Sequence, residues 1–94
     1  MLREHQQAKK KVLISLKKAN SHIKKIIHMV ESDTYCIDII QQILAVRGLL
    51  RSAQARILES HLKTCFRRGM EGKSKRKKEK LIQEVLKVTK LSNK

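Results

Sequence analysis

The amino-acid sequence predicts an all-α protein of three helices, two long and one short, and two observations carry that expectation. The 94 residues include no proline, three glycines and two aromatics, Tyr35 and Phe66, so little in the chain interrupts helix or favours strand. Apolar residues also recur at alternating spacings of three and four over two long stretches, the rhythm of a helix that packs along another helix. The whole chain, residues 1–94, reads as one small domain. A single copy of such thin helices covers little apolar surface, which predicts a homo-oligomer that completes the core.

The first helix is expected over about residues 5–30, with Val12, Leu16, Ala19, Ile23, Ile26 and Val30 as its seam. Lysine pairs at 10/11, 17/18 and 24/25 recur every seven residues, so they project from one side of that helix as a basic stripe. The stretch ESDTY breaks the pattern, and Ser32 or Asp33 is the expected N-cap of a second helix, a side-chain oxygen there accepting an orphan backbone N–H. That helix should run from about Thr34 to Arg68, with Ile39, Ile43, Val46, Leu50, Ala53 and Ile57 on its seam. Gly48 lies inside it at a cost of roughly 1 kcal/mol against alanine; it either marks a close helix crossing or is incidental. Gly69 and Gly72 are expected to end the helix. KSKRKKEK, residues 73–80, reads as a charged linker into a short third helix with Leu81, Ile82, Val85, Val88 and Leu91 on its apolar face.

The charge is lopsided. Twenty-three basic against eight acidic residues leave a net +15. Residues 1–30 carry +7 and residues 66–94 carry +8, while 31–65 are neutral. The two ends therefore present a positive surface and the middle is the scaffold. A polyanion is the natural partner, through counterion release from phosphates. With so few aromatics, base stacking on single strands is disfavoured and double-stranded DNA contacted through its backbone is favoured. The candidate contacts are Lys9, Lys10, Lys17, Lys18, Lys24 and Lys25, joined by Arg47 and Arg51. No apolar run approaches the ~20 residues that span a bilayer, and no hydrophobic signal region follows the N-terminus. No membrane association is expected. Two cysteines without a disulfide framework fit a reducing, cytoplasmic setting.

His61 and Cys65 are spaced i, i+4 in ESHLKTCF, so both project from one helix face a turn apart, where thiolate and imidazole can chelate one ion. Cys36 is the third candidate. On a continuous helix it lies ~37 Å from His61 at 1.5 Å per residue, so one chain cannot gather all three. Two copies of the second helix, paired antiparallel about a two-fold axis near Leu49 and Leu50, bring residue 36 of one opposite residues 61–65 of the other, twice. The expectation is an intersubunit metal site made of Cys36 from one chain with His61 and Cys65 from its partner. Two thiolates and one imidazole form a soft, low-coordinate set that favours Cu(I), with Ni(II), Co(II) or Zn(II) as alternatives; zinc would want a fourth ligand. Tyr35 and Phe66 each adjoin a ligand cysteine and can shield the ion or supply a supporting hydrogen bond. An enzyme with Cys65 as nucleophile and His61 as base is not expected, because no oxyanion loop or orienting carboxylate is recognisable.

ESDTYC (31–36), QQILAVRGLL (41–50) and LESHLKTCF (58–66) together resemble the copper-sensitive operon repressors, a CsoR-like family of metal-sensing transcriptional regulators. The likeness covers about residues 8–90. It implies an all-helical repressor, a dimer of dimers without a helix-turn-helix, whose apo form binds operator DNA and is released by metal. It also implies Cys36, His61 and Cys65 as the copper ligands. The copper branch places a glutamate just before the Leu-Ile of the third helix, to hydrogen-bond the ligand histidine. Here Lys80 stands at that position and Glu79 one residue earlier, so Glu79 is the candidate for that role, turned by about 100° of helix from the family's position. Where the family often has an arginine-rich segment on the first helix, this chain has SLKKANSHI, with Lys17 and Lys18 keeping the charge. His5 lies near the extra N-terminal ligand of nickel and cobalt members; the alternative is a solvated histidine near a frayed terminus. Alternative inducers within the family are nickel, cobalt, formaldehyde or persulfide. Outside it, a metal-independent architectural DNA-binding protein would explain the charge but not the three ligands.

Overall fold

The computed structural model describes residues 6–92, and the architecture is all-helical. Helix α1 spans Gln6–Glu31 and α2 spans Cys36–His61; a π-helical segment, Leu62–Phe66, and a short α3, Arg67–Met70, follow, and α4 spans Lys75–Ser92. Helical residues run without a gap from residue 36 to residue 70, so three helical segments are present, two long and one short. Among the described residues there is no strand. The chain divides into two compact units, one up to Ser60 and one from His61 onward.

In the first unit α1 and α2 form an antiparallel hairpin. The buried apolar residues are Val12 and Ala19 on α1 and Val46 and Ala53 on α2, each pair seven residues apart. Position 12 is as far from the connecting turn as 53, and 19 as far as 46, which is antiparallel register. Half-buried Ala8, Ser15, His22, Ile26 and Met29 extend the covered stripe of α1, and Ile39, Gln42, Leu49 and Ser52 that of α2. The expected seams share positions 12, 19 and 26 and positions 39, 46 and 53 with these stripes, but the rest is corrected by one helical line. Leu16, Ile23 and Val30 are 40%, 42% and 55% exposed, and Ile43, Leu50 and Ile57 are also exposed. One residue is about 100° of helix, so polar Ser15, His22 and Gln42 sit on the packed side. An apolar line remains uncovered on each helix. Exposed apolar area on this scale in a small chain marks an interaction surface.

The connecting turn uses its residues differently from the expectation. Asp33 adopts a left-handed conformation, φ 55°. Its N–H donates to the Val30 carbonyl at 3.2 Å, and the Thr34 N–H donates to the Met29 carbonyl at 2.9 Å, the bond pattern of a Schellman closure. Asp33 therefore ends α1, and neither it nor Ser32 caps α2. Tyr35 takes the capping position, its carbonyl accepting from the Asp38 and Ile39 N–H groups at 3.1 and 3.3 Å. Aspartate tolerates the left-handed region better than most side chains, which is why no glycine is needed there.

In the second unit Gly69 lies within α3 rather than terminating it. A Cβ there would overlap the Leu81 side chain of α4, so this glycine permits the close approach of two helices. Ser74 caps α4: its Oγ accepts from the Lys77 N–H at 3.3 Å and its carbonyl from the Lys78 N–H at 3.1 Å. Residues 75–80 are consequently helix and not linker, as suits a run of lysine, arginine and glutamate. On α4, Leu81, Ile82 and Val85 are half-buried, whereas Val88 and Leu91 are exposed.

The two helical glycines should respond oppositely to substitution. No heavy atom lies within 4 Å of a Cβ built at Gly48, so it marks no crossing, and Gly48→Ala should raise stability by about 1 kcal/mol. Gly69→Val puts a branched side chain against Leu81 and should cost about 1–3 kcal/mol as an overpacking change. Urea unfolding of both variants checks this; equal midpoints would mean that the α3–α4 approach does not form in solution.

Candidate metal centre and basic surface

Cys36 is the first residue of α2 and His61 its last, so the helix continuity on which the intersubunit expectation rests is present. Cys36 is a free, exposed thiol. Its position is set by the Tyr35 carbonyl, which anchors the first turn of the helix. The Tyr35 side chain is 67% exposed. A thiol and a phenol thus stand side by side, open to solvent or to another chain.

His61 and Cys65 are placed by a change of helix type. Cys65 belongs to the π-helical segment that begins immediately after His61. A π turn closes with i→i+5 bonds and takes more residues than the 3.6 of an α turn. π segments are frequent at functional sites. The Cys65 thiol is free and half-buried, and the Thr64 hydroxyl donates to its Sγ at 3.8 Å. The His61 and Phe66 rings are tilted by 54° with centroids 6.5 Å apart, within the range of edge-on aromatic contact.

Among the described residues no group of three or more His, Cys, Asp or Glu within the chain could hold a metal ion. The donors themselves fit a soft ion: two free thiols and one imidazole, with no carboxylate joined to them in such a group. Glu79 is exposed and its Oε1 accepts from Gln83 Nε2 at 3.0 Å, one turn further along α4. His5 lies outside the described residues.

The exposed basic side chains are the candidate contacts for an anionic partner. Lys9, Lys10, Lys17, Lys18, Lys24 and Lys25 on α1 are all exposed, as are Arg47 and Arg51, one turn apart on α2. In the second unit α4 begins on a run of cations, with no acid in its first turn. Cations there oppose the helix dipole. Sequence reasoning missed this helix start, although Ser74 followed by strong helix formers was its signal.

A family profile described as metal-sensitive transcriptional repressor matches residues 8–90. The copper-sensing transcriptional repressor CsoR of Mycobacterium ulcerans (strain Agy99) is 37% identical over 86 residues, covering 90% of this chain and 74% of that protein. CsoR of Mycobacterium tuberculosis (strain ATCC 25618 / H37Rv) is likewise 37% identical over 86 residues, covering 90% and 72%. The crystal structure of the copper-sensing repressor CsoR with Cu(I) from Geobacillus thermodenitrificans NG80-2 superposes with a TM-score of 0.77 at 29% identity, covering 88% of this chain and 83% of that one.

Proposed function

Because the chain belongs to the metal-sensitive transcriptional repressors, we propose that residues 1–94 act as one domain that holds operator DNA until Cu(I) is taken up between two subunits. The protein is a copper-sensing transcriptional repressor and not an enzyme. The ligands are Cys36 of one chain with the partner's His61 and Cys65.

One observation carries this arrangement: the exposed line Ile43, Leu50, Ile57 on α2, spaced by sevens. An antiparallel pair of such helices centred on Leu50 sets 43 against 57 of the partner and covers the line completely. The same register sets residue 36 opposite residue 64, between His61 and Cys65. A two-fold axis then makes two equivalent sites. The exposed line Leu16, Ile23 and Val30 on α1 supplies a second interface for a dimer of dimers. Tyr35, next to Cys36 in sequence, and Glu79 on α4 are the candidates to support the ligands.

Release is conformational. Two thiols give up about two protons to take one Cu(I), so each site gains about one negative charge. Against a net +15 that is too little to expel DNA by repulsion. Ligation instead ties the start of α2 in one chain to the π segment of its partner and changes the spacing of the basic surfaces, a coupling of about 1–3 kcal/mol. No helix among the described residues is long and apolar enough to cross a membrane, and a repressor working on operator DNA operates in the cytoplasm.

The test is a Cu(I) titration under a competing chelator, with DNA binding followed by fluorescence anisotropy. The apo protein should bind duplex, and one Cu(I) per chain should release it. A complex that persists when every site is filled would overturn the reading.

A further inference from the structure

A cationic pocket lies within the unit that begins at His61, on the segment that carries Cys65. It has a volume of about 270 Å³ and is lined by Lys63 and Thr64 of the π segment, Arg67 and Arg68 of α3, and Glu71. The backbone beneath it is hydrogen-bonded throughout. The Arg67 N–H donates to the Thr64 carbonyl, and the Glu71 N–H donates to the Arg67 carbonyl at 3.1 Å. The lining side chains therefore hang from one continuous helical frame.

Three cations against one carboxylate leave the pocket a formal positive charge. Glu71 offsets little of it. Its Oε1 meets Arg67 Nε at 3.5 Å, with both side chains largely exposed, and an exposed ion pair of this kind is weak. The contact engages Nε alone. The two terminal guanidinium nitrogens, which carry four of the five N–H donors, lie outside that ion pair. A guanidinium fork matches the oxygens of a phosphate, and an ammonium adds a point charge. Arg67, Arg68 and Lys63 supply both kinds of group.

Thr64 connects this pocket to the metal ligand. It is one of the lining residues, and its hydroxyl donates to Cys65 Sγ at 3.8 Å. Neighbouring residues lie well inside the Debye length of ~10 Å at 0.1 M salt, so charge in the pocket is felt at the sulfur. Cu(I) held by two thiolates carries a net negative charge. An oxyanion in the pocket and a copper centre at Cys65 therefore repel each other and draw on the same cations.

We propose that this pocket binds a phosphate-class oxyanion and that the bound anion opposes Cu(I) at the site containing Cys65. The inference rests on the metal-sensing reading above and adds a second ligand to it, with the residues that hold that ligand. The opposition is reciprocal: Cu(I) weakens anion binding by the same factor. The phosphate group is either free inorganic phosphate or part of a DNA backbone, and the experiment separates the two sources.

The full chain is used throughout, at an ionic strength held constant with chloride. The apo protein is titrated with inorganic phosphate and followed by NMR. Cu(I) affinity is then measured against a competing chelator, with and without saturating phosphate. Phosphate should give saturable shifts at Lys63, Thr64, Arg67 and Arg68. It should also lower Cu(I) affinity about five-fold or more, the lower end of ordinary allosteric coupling. Lys63→Gln with Arg68→Gln should weaken phosphate about ten-fold or more, since charge-assisted bonds are lost. The same variant should cut the phosphate effect on Cu(I) to about two-fold or less. Both side chains are exposed, so the fold should be kept, which circular dichroism checks. Lys87→Gln with Lys90→Gln, which removes equal charge from exposed positions on α4, should leave phosphate binding and its effect on Cu(I) as in wild type. A short duplex that reproduces the shifts assigns the pocket to a backbone phosphate; a response to inorganic phosphate alone assigns it to the free ion. If phosphate leaves the wild-type Cu(I) affinity unchanged, or if both double variants lose phosphate alike, the proposal fails while copper sensing stands. If the wild type takes up no Cu(I), the metal-sensing reading fails and the proposed opposition fails with it.

Discussion

Mixing Cys36→Ala chains with Cys65→Ala chains should restore about a quarter of the wild-type Cu(I) capacity, although each variant alone retains no tight site. Each homodimer of a single variant lacks one thiol at both sites. Random exchange makes half of the dimers mixed, and a mixed dimer has one complete site of two, since one chain supplies Cys36 and the other His61 and Cys65. Its second site lacks both thiols. The same arithmetic holds for each dimer within a dimer of dimers. Cu(I) retained against a chelator, measured after the chains are unfolded together and refolded, reads the outcome directly. A site assembled within one chain would show no recovery, because no chain in the mixture has both cysteines. Apo DNA binding should stay within about two-fold for either variant, since neither cysteine belongs to the basic surface. Cys36 is exposed on the first turn of α2 and Cys65 lies in the π segment, so neither truncation empties the hairpin core of Val12, Ala19, Val46 and Ala53.

Three helices were legible in the sequence because helix-breaking residues cluster at two places, and because positions 12, 19, 39, 46 and 53 are apolar at helical spacing. Which line of each helix packs inside the chain was not legible. Hydrophobicity marks two lines per helix, and the covered one includes Ser15, His22 and Gln42, which a search for apolar residues passes over. The other line, through Ile43, Leu50 and Ile57, is the one a second copy can use. The turn escaped for a related reason: Ser32 and Asp33 look like an N-cap, and only the φ of Asp33 shows that it closes α1. The charged 73–80 run read as linker because of its charge, whereas lysine and arginine are good helix formers once Ser74 caps them. For the candidate site, residue types and spacing gave Cys36, His61 and Cys65. The π segment could not be foreseen, because α and π turns share one residue composition and differ only in which carbonyl each N–H reaches. The candidate ligands Cys36 and His61 are the two ends of α2, and among the described residues no group of three such donors forms within one chain.

Replacing Lys17 and Lys18 together by alanine should lower duplex affinity on the order of a thousand-fold at 0.1 M salt and flatten its salt dependence. Each phosphate contact contributes about 0.9 to the slope of log affinity against log salt. Two lysines on each of two protomers therefore remove about 3.6 from the slope, and that difference in slope accumulates as salt falls from 1 M. The two side chains are exposed on α1; neither is buried, so their loss should leave the fold unchanged. A matched control is Lys75→Ala with Lys77→Ala on α4. It removes the same two charges from the net +15 and takes cations away from a helix N-terminus, which is mildly stabilising. If binding depended on overall charge alone, the two double variants would behave alike. If α1 carries the contact, only the first should flatten the slope. A loss confined to the α4 variant would move the surface to the start of α4.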